Sequence, residues 1–214
     1  MDSMVPMSGD PHQPAPRGSY AKGVARRQEI LDRAIEVFAQ RGSDRTSLRA
    51  IAEEVGVTHA ALKHYFGSLE ELLVAVYSES ERRGDDEPRA DPEESPVEML
   101  RRWTESNREV QGLVQLYSTL VATALEEGHP AAREFATTRF ARVRADMADR
   151  VRHSQEAGRT RADVDPEAVA ALVIAASDGL QTQWLLDAAA PQDAALALLD
   201  QLLAGPAAAP RASD

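Results

Sequence analysis

Cysteine is absent from the chain. That excludes a disulfide framework and thiolate metal sites, removes the thiol nucleophile, and makes a reducing compartment the expected setting. Aromatic residues make up only 5% of the 214 positions, and the β-branched and aromatic runs that strands favour are scarce. A bilayer crossing needs about 20 apolar residues; the longest apolar run, Ala168 to Ala176, is much shorter and is closed by Ser177 and Asp178. Met1 to Arg17 contains several prolines and lacks the basic and apolar regions of a secretory signal. A cytoplasmic protein without a membrane segment is expected.

Alanine, leucine, arginine and glutamate are abundant, which suits helices, so the expected fold is all-α. A chain of this length can bury an apolar core without metal or disulfide staples. The formal net charge of −11 argues against a nucleic-acid binder until it is divided by segment. Residues 17–66 hold nine Lys or Arg against six Asp or Glu, a net of +3. From Gly67 onward 15 basic residues face 27 acidic ones, a net of −12, and residues 1–16 contribute −2. Any phosphate-binding surface is therefore expected in the N-terminal quarter.

Helical periodicity and boundary residues divide the chain. A first helix is predicted from about Gly23 to Gln40, with Ile30, Leu31, Ala34, Ile35, Val37 and Phe38 on its buried face and Gly42 as its stop. A short second helix follows from Ser47 to Val55, then a turn at Gly56-Val57 and a third helix from Thr58 to Tyr65. Ser68-Leu69-Glu70-Glu71 is a capping box opening a fourth helix to about Arg83. Gly84 to Ser95 reads as a solvated loop, and Ser95-Pro96-Val97-Glu98 repeats the start signal. Helices are predicted to about Arg108, from Val110 to Glu126, from Ala131 to Ala157, from Pro166 to Ala188, and from Pro191 to Leu203. This gives about nine helices: a disordered tail over 1–20, a three-helix domain over 21–68, a helical domain over 69–204, and a disordered tail over 205–214.

Two short helices joined by a glycine turn form a helix-turn-helix, whose second helix can enter the major groove of DNA. Gly56 suits the sharp turn because positive φ is costly with a Cβ. The ordered run Thr46-Ser47-Leu48-Arg49-Ala50-Ile51-Ala52-Glu53-Glu54-Val55-Gly56-Val57-Thr58 resembles the TetR family of repressors. So do Leu62-Lys63-His64-Tyr65-Phe66 and Ser68-Leu69-Glu70-Glu71-Leu72. The motif-level resemblance covers about residues 26–77; beyond it the chain resembles the family's variable ligand-binding and dimerisation domain in helix number and length. Asp178-Gly179-Leu180-Gln181 through Trp184-Leu185-Leu186-Asp187 looks like a dimer helix of that family.

The resemblance implies roles for particular residues. Thr46 and Ser47 would hold phosphate at the start of the second helix. Arg49, Thr58, His59 and Ala60 would approach base edges or methyl groups, while Lys63, His64 and Tyr65 would grip phosphate. Two positions depart from the family: Lys63 stands where a tyrosine is common, and Leu69 where a lysine commonly makes a phosphate contact.

Other chemistries have little support in the residues. His59 and His64 are five apart, off the three or four spacing that aligns two ligands on one helical face, and no third ligand accompanies them. No metal or cofactor is expected. Glu126-Glu127 and Asp85-Asp86-Glu87 are neighbours that point apart or are solvated, and no nucleophile elbow or phosphate-cradling loop is present, so the chain is not expected to be an enzyme. In the C-terminal domain Trp103, Asn107, Tyr117, Leu120, Thr123, Phe140, Met147 and Gln181 fall on inward helical faces and mix aromatic with polar groups. Each is a candidate pocket residue or simply packed core.

The Ala/Leu-rich helices from Pro166 and Pro191 are too apolar for a free surface, which points to a homodimer with two reading heads on a pseudo-palindromic, double-stranded DNA operator. The expected function is a sequence-specific transcriptional repressor released by a small-molecule effector. The alternative is a non-specific or architectural DNA-binding protein without effector control, for which a basic surface over most of the molecule would be expected.

Overall fold

The computed structural model describes residues 17–41, 48–85 and 94–205. Nine helices form among these residues: α1 (Arg17–Arg41), α2 (Leu48–Val55), α3 (His59–Phe66), α4 (Leu69–Asp85), α5 (Pro96–Glu109), α6 (Gln111–Ala124), α7 (Pro130–Glu156), α8 (Pro166–Leu186) and α9 (Gln192–Leu203). The only extended pairing among the described residues is an isolated bridge between Thr160 and Ala204. The all-α expectation holds. α1 begins at Arg17, ahead of the predicted Gly23, so 17–20 are helical although the sequence placed them in a tail. The stop at Gly42, most of the Gly84 to Ser95 loop and the segment after Gly205 lie outside the described residues.

Local signals explain the helix starts. Ser95 makes a complete capping box: its Oγ accepts the Glu98 N–H at 3.2 Å, and its own N–H donates to Glu98 Oε2 at 2.6 Å. Asp165 Oδ2 accepts the Ala168 N–H at 3.1 Å at the start of α8. The box predicted at Ser68 is half made. Ser68 Oγ accepts the Glu71 N–H at 3.1 Å, whereas the Ser68 N–H goes to the Phe66 carbonyl at 2.8 Å. Gly67 has φ 73°, so this junction favours glycine for its conformation; a Cβ there would stand 2.6 Å from Glu71 Oε2, the movable end of a flexible side chain.

Packing divides the interior unevenly. The largest core joins Ile30, Leu31, Ala34 and Phe38 of α1, Ile51, Ala52 and Val55 of α2, Leu62 and Phe66 of α3, Leu72, Leu73 and Val76 of α4, and Leu113, Leu116 and Leu120 of α6. The N-terminal unit therefore has no core separate from the rest: the boundary expected at residue 68 runs through packed side chains. A second core joins α5, α7, α8 and α9 through residues such as Leu100, Met147, Val151, Val173 and Leu196. A small alanine contact, Ala124, Ala132 and Ala136, links α6 to α7.

α8 meets the length and composition of a bilayer-crossing helix, which the shorter run considered in the sequence did not reveal. Its Val169, Ala170 and Val173 are packed in the second core, and Ser177, Asp178 and Gln181 interrupt its apolar character further on.

Leu72 is wholly buried between the head helices and α6. Leu72→Ala should cost roughly 2–5 kcal/mol, as core leucine truncations do. In denaturant titrations at fixed protein concentration, circular dichroism should show one transition at lower midpoint. Two separated transitions would show that the head unfolds independently.

Candidate nucleic-acid interface

α2 ends at Val55, the chain turns through Gly56 at φ 71°, and Val57 returns its N–H to the Ala52 carbonyl at 2.8 Å. A Cβ on Gly56 would meet Arg33 Nη1 only at an ordinary 3.7 Å. Conformation rather than crowding thus requires glycine there. Val57 packs half-buried against the head core. Thr58 is extended (φ −81°, ψ 150°) and caps α3, its Oγ accepting the Ala61 N–H at 3.1 Å.

Within α3, Leu62 and Phe66 are buried, whereas His59, Ala60, Lys63 and His64 are exposed. The exposed four occupy positions i, i+1, i+4 and i+5 and so share one helical face. Tyr65 is half-buried against the head core, with its ring edge-on to His64, centroids 5.1 Å apart. Behind this face the Arg27 guanidinium lies 4.8 Å from the Phe66 ring centroid, a contact the sequence did not suggest. On α2 the Arg49 side chain is 85% exposed and pairs with Glu53 at 3.5 Å. Exposed pairs of this kind are worth little, so Arg49 can exchange its partner for a phosphate or a base edge. Thr46 and Ser47 lie outside the described residues. Leu69, where the family resemblance would have a phosphate-binding lysine, packs half-buried on the head core.

α4 links this face to the rest of the molecule. At its C-terminal half Gln28 of α1 donates to Glu79 at 2.8 Å, Arg82 and Arg83 bond Glu79 at 2.8 and 3.1 Å, and Arg83 also bonds Asp32 of α1. The hydrogen bond from Arg82 holds the Glu79 carboxyl at a pKa of about 2, below its ordinary 4.5, and those from Gln28 and Arg83 add to it. At the N-terminal end Glu70 accepts the Ala132 N–H of α7 at 2.6 Å and lies 3.3 Å from His129 Nδ1.

The eight candidate pocket residues are not gathered at one place. Leu120 belongs to the first core, Met147 to the second, and Phe140 packs on the small alanine contact. Trp103 is exposed; Asn107 and Thr123 are half-buried; Gln181 bonds Ser177 at 3.0 Å. Tyr117 alone of the eight centres a polar cluster, with Tyr77, Phe135, Arg139, Glu81 and Asp178. Burial pushes the Tyr77 hydroxyl up to about 12 and raises Tyr117 and Asp178 above their ordinary ranges. The sequence carried a faint signal of it: Tyr77 and Glu81, and Phe135 and Arg139, are i, i+4 pairs, and Asp178 sits in an otherwise apolar helix.

A shallow apolar groove runs between α8 and α9, lined by Ala175, Ala176, Gly179, Leu180 and Leu198 among others. Of its lining residues, Leu198 and Leu202 are 56% and 59% exposed.

Residues 30–76 match the family model for bacterial regulatory proteins of the tetR family. Residues 92–206, more than half of the chain, match the model for the C-terminal part of BetI-type transcriptional repressors. The BetI regulator of Brucella anthropi is 43% identical over 51 residues, 24% of this chain and 26% of that protein; the match thus spans about a quarter of the length of these curated relatives. A helix-turn-helix transcriptional repressor of Mycobacterium tuberculosis is 26% identical over 165 residues, 77% of this chain and 85% of its own. Among solved structures, the multidrug binding protein EbrR complexed with imidazole is similar with TM-score 0.61 and 27% identity, covering 91% of this chain and all of that one. A TetR-family regulator from Rhodococcus is similar with TM-score 0.64 and 25% identity, covering 84% and 98%.

The low pKa of Glu79 has a defined consequence for the tie between α1 and α4. A carboxyl whose folded pKa lies below its unfolded value contributes stability above the unfolded pKa and loses it as pH falls through the folded one. Stability contributed by Glu79 is thus full above about pH 4.5 and lost by about pH 2. Glu79→Gln should flatten the acid limb of a stability-against-pH curve over this window, measured by urea midpoints, and leave the slope near neutrality unchanged.

Proposed function

The chain belongs to the TetR family of bacterial regulatory proteins, and from that premise we propose that it is a cytoplasmic, homodimeric, sequence-specific DNA-binding repressor released from its operator by a small ligand. The observation that carries this reading is the face of α3: four exposed side chains on one side of a short helix, mounted behind a positive-φ glycine turn, in a segment, residues 17–66, that carries a net charge of +3 in a chain of net −11. On this reading Arg49 and the start of α3, Thr58 to Ala60, approach bases. Thr46, Ser47, Lys63, His64 and Tyr65 hold phosphate and set the helix in the groove. The segment to residue 68 serves as the reading head, and 69–204 as the effector and dimerisation part.

The exposed leucines and the groove on α8 and α9 support a two-fold interface in which these helices of each protomer form a four-helix bundle. A face of that kind left to solvent would be a large apolar patch of the sort soluble monomers avoid. Ligand control is supported by a similar protein having been solved with a bound small molecule. A ligand acts only through its different affinity for DNA-competent and incompetent states, typically about 1–3 kcal/mol of coupling. The segregation of charge speaks against a non-specific coating protein, for which a basic surface over much of the molecule is the norm.

Selection of bound duplexes from a random pool tests the reading: a recovered palindrome with a fixed half-site spacing supports it, and equal recovery of all sequences would sink it. On the selected duplex, Lys63→Ala should weaken binding to every sequence and reduce the salt slope by about one unit, while His59→Ala should change the preferred bases. For the interface, the double substitution Leu198→Glu with Leu202→Glu should give a folded monomer in light scattering at micromolar concentration. A dimer that survives it would place the interface elsewhere.

A further inference from the structure

Arg139 of α7 bonds two other helices directly and a third through Tyr117. Its Nε donates to Glu81 Oε1 of α4 at 2.9 Å and its Nη1 to the Tyr117 hydroxyl of α6 at 3.0 Å. That hydroxyl donates onward to Asp178 Oδ2 of α8 at 3.1 Å. The guanidinium lies 4.4 Å from the Tyr117 ring centroid and 5.8 Å from that of Tyr77. The two rings are stacked 5.2 Å apart, with Phe135 edge-on to Tyr77 at 5.6 Å. The Arg139 and Glu81 side chains are 17% and 22% exposed, so solvent screens this pair far less than the surface pairs.

The path from α4 to α8 thus runs through one cation set against stacked aromatic rings, and the two carboxylates at its ends belong to helices with different tasks; Glu81 is also bonded by Arg142 of α7 at 2.8 Å. Glu81 sits on the helix that shares its core with the reading head. Asp178 sits on the helix whose next turn, Gly179, Leu180 and Gln183, lines the apolar groove. We propose that Arg139 is a positioning residue for DNA binding: by tying Glu81 of α4 to Asp178 of α8 through Tyr117, it sets the angle at which each reading head stands on the dimer. This rests on the reading above of α8 and α9 as the dimer face and of α2–α3 as the head. The planar guanidinium serves because it bonds two partners from fixed directions while stacking on a ring, which an ammonium does not.

An operator presents two half-sites at a set spacing. Loosening α4 spreads the population of head separations, and apparent affinity falls with the fraction that matches the operator. The contacts of each head with DNA are unchanged, so the salt slope is unchanged.

The absence of cysteine makes the test direct, because Glu53→Cys on the exposed side of α2 gives one spin-label site per protomer. Double electron–electron resonance on the full-length dimer should give a narrow inter-head distance distribution that broadens in Arg139→Met. Arg139→Lys should fall between the two. Operator affinity should drop about tenfold in Arg139→Met, within the usual range of such couplings, with the salt slope kept. Glu81→Gln, which leaves Arg139 on Tyr117, should broaden the distribution as well and covers the case in which Arg139→Met fails to fold. On operator affinity, Glu81→Gln and Asp178→Asn should be non-additive with Arg139 present and additive in Arg139→Met. An unchanged distance distribution and affinity in the folded Arg139→Met and Glu81→Gln variants would overturn the proposal and leave the regulator reading standing. A wild-type protein with no inter-head distance, or with no preferred duplex, would overturn both.

Discussion

The packing of α4 against both neighbours is the constraint on which the rest depends. Leu72 and Val76 are wholly buried in a core shared by α1, α2, α3 and α6. A three-helix head of some 50 residues buries too small a fraction of its surface to be robust alone. Borrowing Leu113, Leu116 and Leu120 from α6 enlarges that core, and it also means that the head cannot tilt without disturbing side chains in the body of the molecule. Mechanical linkage between the two parts is thus a by-product of what makes the small one stable.

Polar contacts sharpen that linkage where apolar ones are permissive. Apolar packing is non-directional, so the shared core by itself tolerates small rotations of α4. The hydrogen-bonded carboxylates at Glu70, Glu79 and Glu81 do not. Glu79 ties α4 to α1 of the head; Glu70 and Glu81 tie it to α7. α4 is thereby held along its length by carboxylates that belong to it, with partners from opposite sides.

Much of this was legible in the residues, and for physical reasons. Positions such as Ile30, Ala34 and Phe38 repeat at helical spacing, and start signals such as Ser95 to Glu98 act within one turn, so helix order and the Gly56 turn followed from short-range patterns. The face of α3 was legible for the same reason. Long-range partners were not: nothing near Glu81 indicates Arg139, 58 residues on, and nothing near Phe38 indicates that it shares a core with α6. An inward helical face says that a residue is covered but not by which neighbour: Leu120, Phe140 and Met147 are each covered by a different set. The length of α8's apolar character is less legible: a run of consecutive apolar residues measures a helix differently from its average over 21 positions.

The uneven distribution of charge, +3 over residues 17–66 against −12 from Gly67 onward, also governs how such a molecule meets a polyanion. The acidic body is pushed away from the duplex while the head is drawn in, so the protein behaves as a dipole that turns in the field of the DNA before contact is made. Encounters that begin body-first are rejected early, and time is not lost in wrong orientations. On the repressor reading, a head of only +3 would adhere weakly to arbitrary sequence, which favours release and return over long slides.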